Sequence, residues 1–177
     1  MTTLNIDIKD AQNKAQESIK SQGLRVLVCA GTGCVANGSL KVIEKFKELG
    51  ADVAVLSDYD KMTVVPTGCH GFCEQGVLVV IPDKHVTYVK VKEKDVEEIY
   101  ESHIKNNKPV ERLMYVDPKT REHVQDDEHI NFYAKQTRTA LKNCGNINAE
   151  SIDEAIAVRG YEALANVLAE NNPDAVI

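Results

Sequence analysis

Two short cysteine pairs constrain this chain more than any other feature: Cys29-x4-Cys34 and Cys69-x3-Cys73, each set among glycines. Soft thiolate sulfur selects zinc, copper(I) or iron–sulfur over harder ions, so four thiols in two clips narrow the cofactor before any fold is drawn. Gly31 and Gly33 lie inside the first clip, and Gly68 and Gly71 flank or enter the second. Glycine lets the backbone turn tightly and aim N–H groups at sulfur, which favours the reduced, more negative form of a cluster. The fold must therefore bring together two clips that are far apart in the chain.

The rest of the composition removes several function classes. A formal charge of −6 and a pI near 5.4, with no basic run interleaved with aromatics, argue against a nucleic-acid surface. The longest apolar run near the N-terminus, Val26 to Ala30, is far too short for a membrane span or a signal peptide. A cytoplasmic location is therefore expected. Thiols stay reduced there, so five cysteines read as metal ligands or free thiols and not as a disulfide framework.

Along the chain, Ala11, Ala15 and Ile19 recur at helical spacing on a polar background, which predicts a surface helix over Ile8 to Ser21. Leu24 to Cys29 is a short aliphatic strand that ends where the first clip begins. Ser39 caps a helix carrying Leu40, Ile43, Phe46 and Leu49, with Gly50 just past its end. Ala51 to Leu56 reads as a second strand, giving a right-handed βαβ unit with a parallel pair. Val64 to Gly68 reads as a loop, punctuated by Pro66 and Gly68. Val77–Ile81 and Val86–Val91, joined by Pro82-Asp83-Lys84-His85, read as a hairpin. Val96, Ile99, Tyr100 and Ile104 then mark an amphipathic helix, on which His103 reads as a helix–sheet boundary residue and Glu97, Glu98 and Glu101 as a solvated face. The order βαβ then ββα is an α/β class fold: a thioredoxin-like four-stranded mixed sheet with flanking helices, both clips on loops at one end.

Four segments are expected: a helical extension over 1–22, the sheet domain over 23–112, a polar linker over 113–130 and a short all-helical segment over 131–177. In the last, helices are predicted from Phe132 to Leu141, from Asn148 through Ala155, and from Tyr161 to Ala169. Such a piece is too small for a substantial core of its own.

With Cys29-x4-Cys34 and Cys69-x3-Cys73 on such a sheet, the chain resembles the thioredoxin-like [2Fe–2S] ferredoxin family. Members occur as a subunit of NADH dehydrogenases and as the N-terminal domain of the NADH-binding flavoprotein (diaphorase) subunit of multisubunit [FeFe] hydrogenases. Phe132-Tyr133-Ala134-Lys135-Gln136, Leu141 to Gly145 and Arg159 to Leu164 look like the opening segment of that flavoprotein. The resemblance implies a [2Fe–2S] cluster on Cys29, Cys34, Cys69 and Cys73, one-electron transfer within an NADH-dependent oxidoreductase, and partners among the other subunits of such a complex. A homodimer is the alternative assembly. The family continues into a glycine-rich loop for FMN and NAD, and no GxGxxG stretch occurs here. The chain is therefore expected to be an N-terminal fragment of a longer subunit, itself an electron carrier with no catalytic residue.

Other chemistries stay open on the residues themselves. The same four thiolates could build a tetrahedral zinc site, making a docking module without redox chemistry. A thiol–disulfide function suits the fold but lacks the C-x-x-C motif. Cys144 reads as a free thiol, and His70 as a residue beside the ligands that is not itself a ligand.

Overall fold

The computed structural model describes residues 7–50 and 59–177. Strand β1 (Leu24–Cys29) is buried at every position but Arg25, which is how a strand covered on both faces reads: as a continuous apolar run. It pairs in parallel with β2 (Met62–Thr67) and antiparallel with β3 (Val79–Ile81), and β3 pairs antiparallel with β4 (Val86–Tyr88). The mixed sheet thus has the order β2-β1-β3-β4. Among the described residues it is the four-stranded mixed sheet expected, with a parallel partner for β1 that was not expected to be a strand.

That strand is β2. The expected strand at Ala51–Leu56 lies outside the described residues, and the parallel partner of β1 is the stretch read as a loop. Pro66 pairs opposite Val28. Among the described residues β2 is an edge strand, where a residue lacking an N–H is tolerated.

Helices α2 (Thr32–Ala36) and α3 (Ser39–Gly50) follow β1. Val42, Ile43 and Phe46 of α3 pack with Val26, Val28, Val79 and Ile81 of the sheet. Leu40, expected in the apolar stripe, is instead 52% exposed. Helix α4 (Val96–Glu98) runs on as a π-helical stretch, Ile99–Lys105, and adds Val96, Ile99, Tyr100 and Ile104 to the same core. The opposite face of the sheet carries a smaller cluster of Leu27, Val65 and Val80. His103 is fully buried, not at a boundary: its Nδ1 lies 2.7 Å from the Tyr88 hydroxyl, which also accepts the Val110 N–H. Burial, assisted by the charge of Lys84, lowers the His103 pKa to about 4, so the ring is neutral in the core.

The chain groups into two compact units. One compact unit spans Gln22–Asn148; the other joins the described part of Met1–Ser21 to Ala149–Ile177. The stretch expected to be a linker forms a two-stranded ladder, β5 (Tyr115–Val116) with β6 (His123–Val124), followed by the fully buried Ile130. Asp117 holds the turn between them, accepting from the Lys119 and Thr120 N–H groups and from the Asn131 side chain. The helix expected from Phe132 to Leu141 is a single turn, α5 (Asn131–Ala134), because the residues after it fold back as turns.

In the other unit, α1 (Ile8–Lys20) packs with α6 (Ile152–Ala157), and Gln16 donates to the Ala157 carbonyl at 3.0 Å. The N-terminal helix is thus a packing partner for the end of the chain: short helices that cannot bury an apolar face alone do so against each other. Helix α7 (Glu162–Glu170) leaves Leu164, Val167 and Leu168 exposed. Among the described residues, no helix is long and apolar enough to cross a membrane.

Candidate metal centre

The first clip is built on the sheet. Cys29 is the last residue of β1, its N–H donates to the Leu78 carbonyl at 3.0 Å, and it is 1% exposed. The chain then turns at Gly31, the N-cap of α2, and Cys34 lies buried within that helix. The close approach of the clips requires Gly31: a Cβ there would lie 2.8 Å from the Cys69 Cβ and 3.3 Å from its Sγ.

The second clip follows β2. The side chains of this loop alternate: Cys69, Gly71 and Cys73 face solvent, whereas His70 and Phe72 are buried. Its two thiols stand together, Cys69 Sγ to Cys73 Sγ being 3.6 Å. The Gly71 N–H donates to Cys69 Sγ at 3.3 Å.

All four thiols are free, and they meet in pairs. The bond from the Cys34 thiol is the largest influence on Cys29; it outweighs burial and, with N–H groups of His70 and Gly31 and the Cys69 thiol, lowers the Cys29 pKa to about 6. The same bond, with burial, drives Cys34 strongly upward. Cys73 is raised by its bond to Cys69. The interaction between the two thiols thus pushes Cys29 down and Cys34 up. Two thiolates about 2.3 Å from one tetrahedral metal lie about 3.8 Å apart, close to the separation of Cys69 and Cys73. Cys69 and Cys73 thus stand as one thiol pair and Cys29 and Cys34 as a second.

The remaining candidates fall outside this set. His70 is buried, with Nε2 3.2 Å from Thr67 Oγ1, and burial together with the charge of Arg138 lowers its pKa to about 4. Cys144 is half-buried, and its carbonyl accepts from Arg138 at 3.3 Å. Sequence reasoning gave no role to Phe72, which packs with Cys29, Cys34, Leu78, Val89 and Ile130 in a second core. Its position between two ligands was the available signal.

The family profile described as thioredoxin-like [2Fe-2S] ferredoxin matches residues 17–103. The chain is 42% identical over 80 residues to the 2Fe-2S ferredoxin of Clostridium pasteurianum, covering 45% of this chain and 76% of that protein. Over 34 residues it is 65% identical to the NADP-reducing hydrogenase subunit HndC of Solidesulfovibrio fructosivorans, or 19% of this chain and 7% of that one. The solved thioredoxin-like [2Fe-2S] ferredoxin of Aquifex aeolicus aligns over 50% of this chain and 86% of its own, with 35% identity and a TM-score of 0.46. With such identity over three quarters of a curated relative, beside paired thiols at one end of a mixed four-stranded sheet, the chain belongs to the thioredoxin-like [2Fe–2S] ferredoxin family, whose members transfer electrons.

Proposed function

We propose that the chain carries single electrons through a [2Fe–2S] cluster, with Cys29 and Cys34 holding one iron and Cys69 and Cys73 the other. The observation that carries this reading is the meeting of four free thiols as two pairs. Bound there, the cluster supplies one-electron exchange. The chain's own residues set its conditions. N–H groups of Gly31 and His70 point to Cys29, that of Leu78 to Cys34 and that of Gly71 to Cys69, all favouring negative charge on sulfur. Phe72 keeps water from the buried side, while the exposed Cys69 and Cys73 leave a side open to a redox partner.

On this proposal the chain is the ferredoxin module of a hydrogenase or NADH dehydrogenase-type oxidoreductase in the cytoplasm. Its partners are the other subunits, and FMN and NAD are bound elsewhere in that assembly. The stretch 65% identical to HndC supports the hydrogenase setting. That relative is named for NADP, so the choice of nicotinamide belongs to the test. Anaerobically prepared protein should hold about two iron and two sulfide per chain and give a paramagnetic signal on reduction. NADH or NADPH should reduce it only when the flavoprotein partner is present. Zinc without sulfide in anaerobic protein would overturn the reading in favour of a docking module.

A further inference from the structure

We infer that the stretch from Ile130 to Asn148, which lies beyond the residues matched to the family, is a brace that positions the second cysteine loop, acting through Phe132 on Phe72 and Gly145 on His70. The inference rests on the reading that Cys69 and Cys73 hold iron. The loop alternates, thiols outward and His70 and Phe72 inward, so its inward side chains decide where the sulfurs stand. Both inward side chains land on this one stretch. The Phe132 ring stacks on Phe72 with centroids 4.5 Å apart and planes 9° from parallel, and Tyr133 meets Phe72 edge-on at 5.5 Å. Gly145, at φ +91°, lies so close to His70 that a Cβ would come within 2.6 Å of the ring. Asn148 closes the series with an antiparallel bridge to Thr67, just before the loop.

The brace is also tied to itself. Arg138 donates to the Cys144 carbonyl and lies over the Tyr133 ring, and Gln136 donates to the Phe132 carbonyl at 2.7 Å. The first clip needs no such support, since β1 and α2 carry its cysteines. Phe132 and Gly145 are thus positioning residues. They fix the loop whose sulfur placement and N–H bonds tune a cluster.

The test uses the full chain, prepared anaerobically, with Phe132→Ala, Gly145→Ala and the conservative Phe132→Tyr. Phe132 is 39% exposed, so its truncation spares the core, and it carries the test alone if Gly145→Ala fails to fold. Three quantities are read: the rate at which a chelator strips iron, the midpoint potential, and amide exchange of residues 68–73 against β1 in the metal-free chain. Phe132→Ala should lose iron roughly two- to tenfold faster than the parent, the worth of one aromatic pair, and Gly145→Ala, whose methyl would meet the His70 ring, should also lose it faster. They should also shift the potential and speed exchange in the loop while leaving β1 unchanged; Phe132→Tyr should restore all three. Unchanged rate and potential in Phe132→Ala would overturn the brace. A parent without iron and sulfide would overturn the cluster reading instead, and loop exchange would then decide the brace: faster in Phe132→Ala supports it, unchanged sinks it.

Discussion

The two cysteine pairs are chemically alike and are built in opposite ways. Cys29 and Cys34 are buried, one ending the central strand and the other inside a helix. Cys69 and Cys73 are exposed on a loop and a 3₁₀ turn whose inward side chains rest on residues 130–148. One pair inherits its geometry from the sheet and the other borrows it from a later part of the chain. A carrier needs both arrangements, because a buried pair anchors the cluster and shields it, and an exposed pair brings it within reach of a partner.

The difference is largest for the ligands themselves. Cys29→Ser should abolish iron binding, whereas Cys73→Ser, on the exposed side, should retain part of the iron with an altered paramagnetic signal. Equal and complete loss in both, by iron content per chain, would erase the distinction. Next is Ile130→Ala, which should destabilise the metal-free chain by about 2–5 kcal/mol in chemical denaturation, since a fully buried side chain is lost from the second core. Its effect on hydrogen exchange should fall on the second loop and not on β1. The glycines of the first clip give a smaller contrast. Gly31→Ala should cost about 1–3 kcal/mol and lower iron content, as its methyl would meet Cys69. Gly33→Ala, whose nearest neighbour would be the Cys73 Cβ at an ordinary 3.8 Å, should be close to neutral in both.

A further contrast concerns pH and the main core, away from either pair. His103 has a pKa of about 4 when folded, below its ordinary 6.5, through burial first and the Lys84 charge second. The unfolded chain therefore takes up a proton first as the pH falls. Stability is full above pH 6.5 and declines toward pH 4, by about 1–3 kcal/mol from this group. His103→Gln, which can still meet the Tyr88 hydroxyl, should flatten that decline in urea titrations while leaving iron content unchanged.

The first pair was more legible in the sequence than the second, for the same structural reason. Strand β1 and helix α3 announce themselves by local pattern, and the glycines around Cys29 and Cys34 are adjacent in sequence. The support of the second pair is non-local. Ile130 stands alone in a polar stretch, so the region read as a linker, although it is fully buried against Phe72. Pro66 masked β2 because proline forbids a central strand but not an edge one, and edge position is decided by the whole sheet. The periodic apolar pattern from Phe132 to Leu141 suggested a helix, yet the ring of Phe132 is taken up by Phe72 and the chain folds back after one turn.

The alternation from Cys69 to Cys73 divides the labour of five consecutive residues between two readers. On the proposed function positions 69 and 73 are read by the metal, while positions 70 and 72 are read by the protein beneath them. Substitutions at the inward positions, or in whatever they rest on, can alter redox behaviour by small steps with the ligand set intact. On that reading a potential can be adjusted through residues that are not ligands, with the four cysteines unchanged.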